Sequence, residues 1–265
     1  MDRNFETEIK LDFYARFWEM YLTCALLKGA PQHGYSIPDR KQRGYNNHGG
    51  PDILLKHNDR RIWIEAVAAK NGDPTKADSL MEPGEHDSED YEPPKIPVDK
   101  IILRYTNAIN EKFEKYRKYL LKNVVHKCDS YVIAVNGFPL FYRWTGDPSR
   151  PRILQAVFPI DVPEYVWNKK TPEDDEIRYQ TRPEIFKNSG APVSTAFFVD
   201  DKHHGVSAVL YSNANAFSPG LDKNFIVVVH NPLASQPVPR GLIPAAQEWW
   251  AEEVSDGYRL VHQDR

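Results

Sequence analysis

The amino-acid sequence predicts an α/β fold, with an α-β-β-α-β arrangement over its first half and a β-rich C-terminal extension. Three observations carry that prediction. Two apolar runs of helical period flank a pair of strand-like runs joined by a turn. An unbroken apolar run of strand length, Tyr-Val-Ile-Ala-Val, follows the second helical run. Beyond Asn136 the texture changes to short β-like runs separated by prolines and glycines.

From Ile9 to Leu27 the residues Leu11, Ala15, Trp18, Leu22, Ala25 and Leu26 recur at helical spacing, and Gly29 followed by Pro31 predicts the stop. Gln32 to Gly50 is rich in Gly, Pro, Asn and His and reads as loop, with room for a short strand near Tyr35 to Ile37. Asp52 to His57 and Arg61 to Ala68 are strand-like, and the turn-forming pair Asn58-Asp59 between them makes a hairpin. The stretch 71–98 lacks periodicity and holds Pro74, Pro83, Pro93, Pro94 and Pro97, so it is expected to be an irregular, acidic, proline-rich insertion. A second helix is predicted from about Val98 to Asn123, then a buried strand from Ser130 to Val135. Residues 1–136 would thus form a core and 137–265 an extension. In the extension, strands are expected at Leu140 to Trp144, Ile153 to Phe158, Thr195 to Val199, Ser207 to Tyr211 and Phe225 to His230, with a last helix over Ala245 to Val254. Whether these strands enlarge the first sheet or form a second lobe stays open.

At 265 residues the chain can bury a good core, and 41% hydrophobic with 27% charged residues is an ordinary globular balance. No run approaches the roughly 20 apolar residues of a membrane span. Met1 to Lys10 lacks the basic-then-apolar order of a signal peptide, so a cytoplasmic location without membrane attachment is expected. Cys24 and Cys128 lie far apart in apolar-looking segments, which predicts two buried thiols and neither a disulfide nor a zinc site. The net charge of -3 is no signature of nucleic-acid binding. Locally, however, the segment from Lys100 to Lys127 carries Lys100, Arg104, Lys112, Lys115, Arg117, Lys118, Lys122 and Lys127 against only Glu111 and Glu114. An anionic partner would meet that patch.

A turn centred between Asn58 and Asp59 pairs residues whose numbers sum to 117, so Leu54 faces Trp63 and Asp52 faces Glu65. Directly opposed side chains share one face with Cβ atoms about 5 Å apart, so the two carboxylates repel unless a cation sits between them. A divalent ion such as Mg²⁺ or Mn²⁺ suits such oxygen donors. The alternative is a solvated strand end, or pairing with Arg60, Arg61 or Lys70.

The segment Gly50-Pro51-Asp52-Ile53-Leu54-Leu55, with Ile62-Trp63-Ile64-Glu65-Ala66-Val67 after it, resembles the PD-(D/E)XK signature of the restriction-endonuclease-like nuclease superfamily. The α-β-β-α-β order matches that family's core, and the likeness covers about Ile9 to Val135. The resemblance implies a metal-dependent endonuclease acting on DNA or RNA. Asp52, Glu65 and the main-chain carbonyl of Ala66 would then ligate Mg²⁺ or Mn²⁺. Glu19, at the edge of the first helix's apolar face, is a further candidate ligand, with a solvated helix carboxylate as the alternative.

The sequence departs from the family at Val67, where a lysine should stand. On the second helix Lys112 falls inside the apolar arc formed by Ile101, Tyr105, Ala108, Ile109 and Tyr119. A buried-side ammonium needs a partner, which makes Lys112 the first candidate for a displaced catalytic lysine; snorkelling to water is the alternative. Arg104 and Lys115 flank the arc and could contact phosphate. Lys70 is the second candidate, more simply read as an exposed strand-end charge. His48 and His230 read as hydrogen-bonded loop and strand-end residues, and His203-His204 as a solvated turn. Three outcomes stay in play: a nuclease, a nuclease-like binding module without cleavage, and a β-rich interaction protein. Oligomeric state is open, a dimer included.

Overall fold

The computed structural model describes residues 5–39, 49–82, 95–143, 145–166, 176–217, 226–254 and 257–264. It is a mixed α/β protein built on one large mixed sheet with a few helices. Helix α1 (Phe5–Leu11) leads into α2 (Phe13–His33) across Asp12, whose side chain accepts the Ala15 N–H and caps α2. The first helix is therefore two pieces, and α2 runs past the expected stop at Gly29 and Pro31 to end at Gly34, φ 67. Gly29 serves close approach instead: a Cβ there would stand 2.2 Å from Pro244 Cγ. Only a single bridge, Ser36 to Lys56, forms where a short strand was expected near Tyr35.

Strands β1 (Ile53–His57) and β2 (Arg60–Ala68) pair in the predicted register, Leu54 against Trp63 and His57 against Arg60. Asn58 takes φ 51 in the turn, a conformation asparagine tolerates. After the insertion, of which 83–94 lies outside the described residues, come α3 (Val98–Leu121) and β3 (Ser130–Asn136), the latter parallel to β2.

The C-terminal half departs further from expectation. A short helix α4 (Leu154–Val157) replaces the strand predicted at Ile153 to Phe158. Leu140 to Arg143 form turns, with Trp144 outside the described residues. Two small hairpins follow, β4 (Ile160–Val166) with β5 (Glu176–Thr181), and β6 (Glu184–Phe186) with β7 (Pro192–Ser194). Phe197–Val199, expected in a strand, is a 3₁₀ turn. Apolar runs this short fit a buried strand and a buried helical turn alike, and here they pack against α3. Strands β8 (Ala208–Ser212) and β9 (Val227–His230) form as expected. The final helix does not: Gln247–Val254 is β10, held between β9 and β11 (Gly257–Asp264). Helix-favouring Gln, Glu and Ala are overridden by two strand partners and by Trp249, which is buried and stacks on His262.

The sheet order is β1-β2-β3-β8-β9-β10-β11, so the later strands extend the first sheet. Along β2 the side chains alternate: Ile62, Ile64 and Ala66 pack towards α2, and Trp63 and Val67 towards α3. Glu65 therefore faces α3. The cysteines are both free, Cys24 half-buried and Cys128 exposed in the turn before β3, which corrects the expected burial of the second. Among the described residues no helix is long and apolar enough to cross a membrane.

Buried Asp129 ties β2 to the turn before β3: it accepts from Arg61 Nε and an Arg61 terminal nitrogen at 2.9 Å each, Trp63 Nε1 at 3.0 Å and the His126 N–H at 2.8 Å. Asp129→Ala would strand those donors. We expect a loss of about 3 kcal/mol, read from the urea midpoint at unchanged denaturant slope.

Candidate active site

A cleft of about 350 Å³ opens at the C-terminal end of β2, between the start of α2 and the middle of α3. Asp52, Glu65, Ala66, Lys112, Lys115, Arg104 and Glu19 all line it. The sequence placed these residues on separate elements, and the fold brings them to one wall. Lys70 is at the cleft too, but its ammonium goes to Asp12 at 2.6 Å and not to Glu65.

Glu65 is 2% exposed and is the electrostatic centre of the cleft. Its Oε1 accepts from Lys112 Nζ and Lys115 Nζ, both at 3.1 Å, and its Oε2 accepts from the Tyr119 hydroxyl at 3.2 Å. Lys112 is 7% exposed, so it does not snorkel to water. One helical stripe presents all three donors, because residues 112, 115 and 119 are three and four apart. Tyr119 was missed as a site residue. Its signal was available in the sequence, since a spacing of seven from Lys112 keeps it on the same face.

Asp52 sits just before β1, opposite Glu65 by the hairpin register. Its Oδ2 accepts the Ala66 N–H at 2.7 Å. The residue keeps some exposure at the cleft wall, while its carboxyl is enclosed. Burial first, then the charges of Glu65 and Glu19, push that carboxyl up to about 7, against the pull of the Ala66 N–H and Lys112. Glu19 is held by Arg16 at 2.6 Å, and Arg16 also meets Glu8 at 3.3 Å. Arg104 is half-buried beside Gly72, whose lack of a Cβ leaves room for the guanidinium, and burial draws its pKa down. Val67 packs at the edge of the α3-facing core.

The cleft offers only hard oxygen donors: the Asp52, Glu19 and Glu65 carboxylates and the main chain at Ala66. That chemistry fits Mg²⁺ or Mn²⁺. The raised Asp52 pKa comes from burial first and the neighbouring carboxylates second, and a divalent ion bound there would oppose both. Two features pull the other way. Glu65 is already compensated by two lysines, and among the described residues no three His, Cys, Asp or Glu side chains form a group that could hold a metal ion.

Of the histidines, His48 lies outside the described residues. Buried His230 contacts Glu248 through Nε2 at 2.7 Å, a satisfied strand-end histidine. His204 is exposed, but His203 is not solvated: its ring stacks on Phe197 at 3.9 Å, and burial lowers its pKa.

Because the folded-state pKa of Asp52 lies above the ordinary carboxyl value of 3.8, this group favours the folded state less as pH rises from about 4 to 7. Asp52→Asn removes that penalty. Thermal melts across this range should show the variant gaining on the parent towards high pH, by on the order of 4 kcal/mol. A pH-independent difference would mean that Asp52 titrates normally.

Comparison with protein-family models, with curated proteins and with solved structures found no match to this chain.

Proposed function

We propose that the protein is a divalent-metal-dependent phosphodiesterase of nuclease type, acting on DNA or RNA at the Asp52–Glu65 cleft. The observation that carries this reading is the meeting of three features: two acids opposed across a hairpin, a buried lysine on one of them, and a basic helix along the cleft. The α-β-β-α-β order of the first half, with its helix in two pieces, supports a restriction-endonuclease-like core.

In this reading Asp52, Glu65 and the Ala66 carbonyl hold Mg²⁺ or Mn²⁺, with Glu19 as a further oxygen donor. A cation bound there would polarise a phosphate oxygen and make a bound water more acidic. Lys112 stands in for the lysine absent at Val67: its ammonium is held at the acids by Glu65 and is placed to orient a water or an anionic oxygen. Arg104 and Lys115 supply positive charge for the phosphate. Asp52 must lose its proton to act as a ligand, so metal affinity would fall as pH drops below about 7.

A second reading is a nuclease-like module that binds nucleic acid without cutting it. Full compensation of Glu65 by Lys112, Lys115 and Tyr119 favours it, since those donors occupy the carboxylate a metal would need.

Cleavage of single- and double-stranded DNA and RNA with Mg²⁺ and with Mn²⁺ separates the two. On the first reading Asp52→Asn and Glu65→Gln each cut the rate by at least about a thousandfold. Lys112→Met cuts it by roughly a hundredfold or more while metal binding by calorimetry survives. Binding of nucleic acid with no cleavage under any condition would establish the second reading instead.

A further inference from the structure

A second cavity, of about 260 Å³, lies on the other flank of the first turns of α3. Its walls come from α3, the C-terminal end of β8, the start of β9, and residues 142–143 and 145–152. Ligand crevices of open α/β sheets form at this end of parallel strands. The cavity is distinct from the acidic cleft: Arg104 and Ala108 face the cleft, whereas Ile101 and Tyr105 face the cavity.

Arg152 is the feature that needs explaining. It is half-buried, and its only hydrogen bond among the described residues runs from Nε to the Thr145 carbonyl at 3.1 Å. The carboxylates around it are taken. Asp147 binds Ser149 and lies 3.8 Å from Arg150, while Asp99 and Asp161 lie 2.6 and 3.6 Å from Arg182. Burial pulls the Arg152 guanidinium down and the charge of Arg182 adds to that pull, while the Tyr105 and Tyr211 phenols oppose it. No carboxylate pairs with the half-buried Arg152 guanidinium among the described residues, and its planar fork matches a phosphate or carboxylate.

The opposite wall is a built polar group. Tyr211 donates to Asn213 Oδ1 at 3.0 Å, so the 3.0 Å contact between the two phenols has Tyr105 donating to Tyr211. This leaves the Asn213 amide nitrogen as a donor with no bond among the described residues. All three groups close around Gly137, where a Cβ would stand 2.7 Å from Tyr105 Oη, 2.7 Å from Asn213 Oδ1 and 2.9 Å from Tyr211 Oη. At the rim Tyr142 holds φ 62, a strained conformation for a bulky residue and of a kind that gathers at ligand sites.

We infer that this cavity is a binding site for a small phosphate monoester, with the phosphate on Arg152 and the Asn213 amide and the organic portion against Tyr142 and Pro151. The Arg152 fork and the Asn213 amide nitrogen offer donors to several oxygens at once, which suits a phosphate. The volume sits just under the roughly 300–1,000 Å³ of ordinary small-ligand pockets, which suits a compact ester. The inference does not depend on the phosphodiesterase reading.

Calorimetry and thermal melts of the full chain in phosphate-free buffer test it, with inorganic phosphate and adenosine monophosphate as probes. Both should bind saturably at millimolar concentrations or below and raise the melting temperature, the nucleotide more than phosphate. Arg152→Gln should weaken both by about tenfold or more. Without ligand it should melt no lower than the parent, because it removes an uncompensated charge. Gly137→Ala, which drives a methyl into the hydroxyl group, should weaken binding with Arg152 intact. Displacement of the nucleotide by a short single strand carrying a terminal phosphate, and not by its unphosphorylated twin, would assign the phosphate to a strand end; no displacement assigns it to a free ester. Absence of saturable binding by either probe would overturn the inference. So would binding unchanged in both variants together with a lowered melting temperature for Arg152→Gln, which would make Arg152 a buttress for the Thr145 loop.

Discussion

A carboxylate buried within a sheet has to be met by positive charge, and the middle of this protein is arranged around that demand. Side-chain alternation on β2 sends Glu65 to the face that also carries Trp63, and α3 covers that face. An isolated charge at this depth would cost several kcal/mol. The helix answers by placing Lys112 within its own apolar stripe, with Lys115 and Tyr119 beside it. A lysine among Ile101, Tyr105 and Ile109 makes sense only with Glu65 opposite. Apolar residues of similar size at both positions would be about as stable or more so. Stability alone therefore does not account for the polar cluster.

The two acids are unequal, and the inequality is chemical. Glu65 accepts from Lys112, Lys115 and Tyr119 on α3, whereas for Asp52 the Ala66 N–H and the charge of Lys112 work against burial and the repulsion of Glu65 and Glu19. The acid that is met by the donors of α3 lies deep, and the one whose carboxyl is pushed up to about 7 lies at the cleft wall. A cation arriving in the cleft would be drawn to the Asp52 side and would release a proton there. The basic face of α3 would at the same time draw in an anionic partner, although the chain as a whole is slightly acidic.

Legibility in the sequence followed the range of the interactions. The hairpin register came from a local turn, so the Asp52–Glu65 opposition could be read without tertiary information. The Lys112 position followed from one helix's periodicity, again a local matter. Elements decided by distant partners were not legible. Gln247–Val254 has helical composition and becomes a strand because β9 and β11 flank it. Gly29 looks like a helix stop and is a contact with Pro244, over two hundred residues away. Arg16 beside Glu19, and Asp12 beside Lys70, reach the cleft through the bend between α1 and α2, which the apolar pattern did not reveal.

The late strands do more than enlarge the sheet. β8 pairs directly with β3 in parallel, and the ladder is extended by Ser207 N–H to the Tyr131 carbonyl at 2.7 Å and by Tyr131 N–H to Ser207 Oγ at 3.0 Å. Asn136 then donates to the Ala214 carbonyl at 2.8 Å, and the Gly137 N–H to the Ser212 carbonyl at 2.8 Å. Residues 1–136 alone would leave the fully buried β3 with an open edge of unpaired backbone groups. The first half thus holds the acids, while the second half closes the strand behind them. Because Tyr211 and Asn213 come from the far side of that same junction, the acidic cleft and the Arg152 cavity are two products of one packing arrangement around α3.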